Sequence, residues 1–307
     1  MLPRRNLLIR AAIVISVAVC ALAVVAAVHL NDRVEARGPL LRANPNTEPF
    51  RGLGAWIDIF DKTSWRRPEQ TVADLASRGV HTLYLQTSNN AQKLAIAKSK
   101  GVVSFLDAAH ARGIQVVAWY LPGLTDPSLD LARSEAAIAF RTPSGNSFDG
   151  FGLDIESAAV TDPFIRTARL LQLSDQIRAF AGQTYALGAI IPSPHGMTVH
   201  TGYWPDFPYS ELALRYDAFL PMAYYTWRDK STLSAGGYID ANIRILRQAV
   251  GSDAVPIHII GGIAQESELV GVQSFVNAVI REKVLGDSLY SYPGVTPDMW
   301  AQLARAK

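Results

Sequence analysis

Arg51-Gly52-Leu53-Gly54-Ala55-Trp56-Ile57 is the stretch that chooses between the two parallel-sheet folds open to this chain. An open doubly wound sheet of the dinucleotide-binding kind places a Gly-rich turn between its first strand and first helix. Here Gly52 and Gly54 lie inside an apolar run, and Ile57 stands where a third glycine would fall. The run therefore begins a strand, predicted over 53–59. Downstream, short apolar runs recur at 82–87, 115–121, 150–156, 185–191, 218–224, 256–260 and 288–292. Longer amphipathic pieces lie between them, such as 68–78, 102–112, 163–181, 238–250 and 267–283. Gly79, Gly113, Gly182 and Gly251 stand where these helices should stop. Such alternation implies parallel strands joined by crossover helices. Eight units in roughly 250 residues make a closed (β/α)8 TIM barrel, an α/β fold spanning 50–307 without a domain break.

What precedes residue 50 reads differently. Arg4, Arg5 and Arg10 lead into an apolar run over 11–28, interrupted only by Ser16 and Cys20. A helix needs about 20 apolar residues to cross the hydrocarbon core, whereas a cleaved signal peptide has an apolar part of about 7–15. Residues 1–30 are therefore expected to be a transmembrane signal anchor, or else a signal peptide cut near Ala21-Leu22-Ala23. Basic residues before the run keep the N-terminus cytoplasmic, so the barrel is expected outside, membrane-anchored or secreted. Residues 31–49, with Gly38, Pro39, Pro45 and Pro49, read as a tether.

Cys20 is the only cysteine, which excludes an intrachain disulfide. Val19 stands where a lipid-anchor motif would want a small residue, so Cys20 reads as an apolar residue of the membrane helix. Residues 1–42 hold six arginines and two acids, a local +4 within a total of +2, which leaves −2 for the rest. A mildly acidic domain lacks the basic face that nucleic acid requires, and no such partner is expected.

In a barrel of this kind, catalytic side chains stand at the C-terminal ends of the strands. Asp58 and Asp61, Gln86, Tyr120, Asp154 and Glu156, His195, and Tyr224, Tyr225 and Trp227 occupy those ends. The most informative run is Ser147-Phe148-Asp149-Gly150-Phe151-Gly152-Leu153-Asp154-Ile155-Glu156. Strand side chains alternate, so Phe151, Leu153 and Ile155 share one face while Gly150, Gly152, Asp154 and Glu156 share the other. The bulky face must meet the helices, which turns both carboxyls into the barrel mouth, one strand step of about 6–7 Å apart. Two acids so close in dry surroundings resist double ionisation, and a carboxyl that keeps its proton can protonate a departing glycosidic oxygen.

Tyr120, Tyr203, Trp204, Tyr225, Trp227 and Tyr292 could offer flat faces to sugar rings at the same rim. Trp56 and Trp119 lie in strand bodies and are expected in the core, as is His258. His195 and His200 lack the spacing of metal ligands, so no metal or other cofactor is expected. Neither a Gly-x-Ser-x-Gly turn nor a phosphate-binding loop is present.

The run from Phe148 to Glu156 resembles the active-site strand of the family 18 glycoside hydrolases, chitinases and their relatives, whose pattern is Asp-Gly-apolar-Asp-apolar-Asp-x-Glu. Asp149, Gly150, Phe151, Leu153, Asp154, Ile155 and Glu156 fit, while Gly152 replaces an acid. Met222-Ala223-Tyr224-Tyr225 is similar to the family's Met-x-Tyr-Asp, with Tyr225 in place of the acid. The resemblance implies that Glu156 protonates the glycosidic oxygen, that Asp154 orients a substrate acetamido group, and that Tyr224 hydrogen-bonds the same group. Asp58, Gln86, Tyr120, Tyr225 and Trp227 are the residues expected to contact substrate, with Asp58 as a second carboxylate across the mouth. The partner is then a carbohydrate, cleaved by an exported enzyme of the cell envelope. The alternative is a barrel that binds glycan without cutting it, to which the losses at Gly152 and Tyr225 point.

Overall fold

The computed structural model describes residues 41–306. Eight parallel strands are hydrogen-bonded in chain order, and the last returns to the first to close the barrel. They are β1 Gly52–Ile57, β2 Thr82–Asn89, β3 Gln115–Leu121, β4 Gly150–Asp154, β5 Ala186–Pro192, β6 Ala218–Met222, β7 His258–Ile263 and β8 Gly286–Tyr290. The longer connecting helices are α1 Pro68–Ser77, α2 Ser99–His110, α3 Pro127–Ile138, α4 Pro163–Ala181, α5 Pro194–Val199 and α6 Tyr209–Ala213. After β6 come α7 Ala235–Val250, α8 Leu269–Glu282 and α9 Pro297–Leu303.

Local chemistry explains where these helices start. Helices α1, α3, α4, α5 and α9 begin with proline, whose missing N–H costs nothing in a first turn. Asp126 and Asp162 cap α3 and α4 by accepting backbone N–H groups of those turns. The four glycines expected to end helices all have positive φ.

Side-chain alternation divides the core into two layers. Leu53, Ala55, Leu83, Leu85, Val116, Phe151, Leu153 and Ile155 pack outward beneath the helices. Trp56, Tyr84, Val117, Trp119, Ile190, Leu220 and Ile260 fill the barrel. Trp56 stacks on Tyr84 at 4.2 Å and meets the Trp119 edge at 5.9 Å. His258 lies within this layer. Its Nδ1 is 2.9 Å from the Phe50 carbonyl, and its Nε2 is 2.9 Å from Ser288 Oγ, which also accepts the Trp56 indole N–H at 2.8 Å. Burial lowers its pKa to about 4, so the ring is neutral. That is the satisfied core histidine the sequence suggests.

Phe50, the first residue of the expected domain, closes the bottom of the barrel, and the end of the expected tether is seated beside it. Phe50 is fully buried in the inner layer, and a Cβ on Gly188 would come within 2.8 Å of its ring. Upstream, Arg42 Nε donates to Asp217 at 2.9 Å and the Asn46 backbone N–H to the same oxygen at 3.2 Å. Residues 42–50 are thus seated on the domain rather than free of it. The rest of the predicted tether and the predicted anchor at 1–30 lie outside the described residues. Among the described residues no helix is long and apolar enough to cross a membrane.

Candidate active site

Strand β4 carries the site because its two faces differ so strongly. Phe151, Leu153 and Ile155 are buried in the outer layer, which turns Asp154 and Glu156 to the mouth as expected. The regular strand ends at Asp154, but the Ile155 N–H still donates to the Ile190 carbonyl at 2.7 Å, so Glu156 leaves the strand in the same direction. Asp154 is 6% exposed and one of its carboxylate oxygens has no hydrogen-bond partner. Burial, and then the Glu156 charge, raises its pKa well above that of an ordinary carboxyl. The surrounding cleft walls partly desolvate Glu156 and raise its pKa as well, although its side chain is still open to solvent. Neither forms an ion pair with a cation among the described residues. The pair therefore retains a proton beyond the usual carboxylate range.

Gly152 lies one step below. A Cβ there would come within 2.9 Å of Ile190 Cδ1, so an apolar methyl group fills the space where the family 18 pattern has an acid. Asp154 consequently has no carboxylate beneath it on its own strand.

Above the pair opens a cleft of about 260 Å³, lined by Glu156, Tyr203, Tyr224, Trp227, His200 and Tyr238 among others. The Tyr203 hydroxyl donates to the Glu156 carbonyl, and the Arg166 guanidinium donates to the Tyr203 carbonyl at 2.6 Å, which fixes that wall. Tyr224 is held by an edge contact with Trp227, 5.0 Å between centroids. Burial, then Asp154, keeps the Tyr224 phenol protonated as a donor. Trp227 is 67% exposed and donates to Glu266 at 3.0 Å, leaving a broad indole face over the cleft. A larger cavity of about 410 Å³, bounded by Met197, Trp204, Phe207 and Ile245, lies beside α5 with neither acid on its wall. Chemistry, not size, selects the smaller one.

Three expected substrate contacts stand elsewhere, and a fourth, Asp58, is already engaged. Tyr120 follows the inward Trp119 and so points outward, fully buried, with its hydroxyl donating to Asp130 on α3 at 2.6 Å. Gln86 is buried and its carbonyl oxygen accepts the Ile59 N–H at 3.0 Å, tying β2 to the loop after β1. Tyr225 turns behind the barrel, where its hydroxyl donates to Ser267 at 2.9 Å. Asp58 reaches the mouth, but one oxygen accepts the N–H groups of Phe60 and Asp61 and the other the Tyr290 hydroxyl at 3.0 Å. Of the other aromatics expected at the rim, Trp204 is buried under Arg166 and Tyr292 donates to Asp74 on α1. His195 packs edge-on against Tyr238 and is kept neutral by burial. Tyr290 is the residue that sequence reasoning misses. It lies between Asp58, Trp56 and Tyr224 on the inner face of β8.

Among the described residues no group of three or more His, Cys, Asp or Glu is arranged to hold a metal ion. No protein-family model matches the chain, and no curated protein matches its sequence. Solved structures do resemble it. An endo-1,4-β-mannanase from Rhizomucor miehei matches with a TM-score of 0.63 at 9% identity, covering 87% of this chain and 98% of the other. A glycoside hydrolase family 18 N-acetylglucosaminidase from Paenibacillus barengoltzii matches with 0.58 at 10% identity, covering 84% and 100%. The spore cortex-lytic enzyme of Bacillus cereus matches with 0.60 at 9% identity, covering 83% and 74%. At such identities the likeness is one of fold, and the TIM barrel is that fold.

Proposed function

We infer that this chain is a glycan-cleaving enzyme in which Glu156 is the general acid. The observation that carries the reading is the Asp154/Glu156 pair, proton-retaining and free of cations, beneath a cleft walled by Tyr203, Tyr224 and Trp227. The solved structures of similar fold include a mannanase, an N-acetylglucosaminidase and a cortex-lytic enzyme, which supports a carbohydrate substrate. Glu156 donates its proton to the glycosidic oxygen as the bond to the anomeric carbon breaks. Asp58 is committed to its own turn and to Tyr290, so it makes a poor nucleophile. That favours attack on the anomeric carbon by the oxygen of a substrate acetamido group. Asp154 would accept that group's N–H, and Tyr224 would donate to its oxygen. Water then opens the cyclic intermediate, and Glu156 recovers its proton from that water. On the reading of 11–28 as an anchor, this chemistry takes place outside the cytoplasm.

A panel of N-acetylglucosamine oligomers and mannan oligomers, incubated with the chain from residue 41 onward, tests the proposal. The expected result is shortened product from the acetylated series and a larger loss with Asp154→Asn on that series than on any unacetylated one. Binding to either series with no product at any pH would favour the second reading, a glycan-binding barrel. Ile190 in the place of a supporting acid is the observation that keeps that reading in play.

A further inference from the structure

Charge is distributed unevenly around the mouth. The connections after β1 and β2 hold Lys62, Arg66, Arg67, Lys93 and Lys98 against Asp58 and Asp61, a balance of +3. The connections after β3 to β8 hold two cations, Arg228 and Lys230, against seven acids that include Glu156, Glu266 and Glu268, a balance of −5. Neither acid on the basic side forms an ion pair with its cations among the described residues. Asp58 accepts the N–H groups of Phe60 and Asp61, and Asp61 those of Thr63 and Ser64. Lys62, Arg66, Arg67 and Lys93 are exposed and form no ion pair among the described residues.

These two connections form one wall. The Trp65 indole donates to the Asp58 carbonyl at 2.7 Å, packs against Phe105 of α2 at 5.1 Å, and lies 5.4 Å beneath the Lys98 ammonium. The wall adjoins the cleft through one residue, since Tyr290 donates to Asp58 and packs 6.2 Å from Tyr224. Phe60 and Leu94, 67% and 63% exposed, stand among the cations and offer apolar surface to a sugar ring.

Taking the glycan reading of the cleft as given, we propose that the β1–β2 wall is a subsite for carboxylate or phosphate substituents of an anionic polysaccharide. The chain would run from the sugar above Glu156 toward Lys62 and Lys93. Unpaired, exposed cations attract such groups at a distance and lose that attraction to salt within about a Debye length of 10 Å at 0.1 M. A flat anionic membrane fits less well, because it would also press on the seven-acid side of the mouth. A linear chain that leaves the cleft on one side avoids those acids.

The test uses the full chain in detergent and matched hexamers of N-acetylglucosamine and of mannose, each neutral or carboxymethylated. The expected result is about tenfold tighter binding of the carboxymethylated member at low salt, lost in 0.5 M salt. The triple variant Lys62→Glu, Arg66→Glu, Lys93→Glu should invert the preference. Equal affinity for both members of a pair, or a preference that survives the triple variant, overturns the inference and leaves the glycan reading intact. Failure of every hexamer to bind overturns that reading and the inference with it. Binding to phosphatidylglycerol vesicles that the triple variant abolishes, without any preference between hexamers, would assign the wall to lipid and sink the proposal.

Discussion

Glu156→Gln is expected to lower glycan turnover at least about 10²-fold, because glutamine keeps the shape of the side chain but has no proton to give. Binding should persist, since the cleft walls are built by Tyr203, Tyr224 and Trp227. The pH profile of the wild-type chain should report the pair rather than either acid alone. Turnover falls on the alkaline side as the last proton leaves, and mutual repulsion with burial holds that proton to a higher pH than a free carboxyl. Asp154→Asn removes the repulsion, so its residual activity should lose its alkaline limb at lower pH than the wild type. An unmoved limb would mean that the two carboxyls titrate independently.

The same substitution has a second consequence, opposite in sign. A carboxyl whose pKa is raised by folding favours the native state only below its unfolded value, here near 3.8, and that advantage is lost as pH rises through the folded value. At pH 7 the wild-type chain bears the cost of burying Asp154 with an oxygen that has no partner. Asp154→Asn should therefore melt at higher temperature than the wild type at pH 7, with the gain vanishing near pH 4. A pH-independent difference, or a loss at pH 7, would show that the carboxylate is stabilised by something not visible around it. A site that trades stability for a retained proton is the usual cost of acid chemistry at neutral pH.

How much of the barrel and its site is legible in the sequence depends on contrast between strand faces. In β4 the parity is readable because small and acidic residues alternate with Phe151, Leu153 and Ile155. In β3 both faces are apolar, as strands covered on both sides must be, so nothing in Val116-Val117-Ala118-Trp119-Tyr120 marks which members face inward. The expectation that Tyr120 reaches the mouth fails for that reason, and Trp119 is the inward one. Past the strand ends, parity stops applying. β6 ends at Met222 and residues 225–227 form a tight helical turn, which leaves Tyr224 and Trp227 on the cleft and sends Tyr225 behind it. Tyr290 escapes notice because Gly286 and Asp287 do not look like strand residues, which moves the expected β8 two positions late. The seating of residues 42–50 is hidden because its partners, Asp217 and Gly188, are distant in sequence and become neighbours only in the closed barrel.

That seat carries the largest expected stability effect. Asp217 is fully buried, and its oxygens accept from Arg42 Nε at 2.9 Å, Arg178 Nη2 at 2.7 Å, and the backbone N–H groups of Asn46 and Leu187. Asp217→Ala would leave two guanidinium groups buried without their anion. Breaking a buried pair in this way costs about 3–5 kcal/mol, because the surviving charge loses both its partner and its water. For a domain of this size that corresponds to roughly 6–20 °C in melting temperature. Arg42→Ala should cost less, since Arg178 would still neutralise Asp217. A chain beginning at Gly52 removes Arg42, Asn46 and also Phe50, whose ring fills the barrel floor and whose carbonyl holds His258. Loss of a buried phenylalanine alone costs about 3–5 kcal/mol, so that chain should be less stable than Asp217→Ala begun at Leu41. Melting curves of the four proteins order these expectations. Equal stability of chains beginning at Leu41 and Gly52 would return residues 42–49 to the status of a tether and leave Phe50 without a packing role.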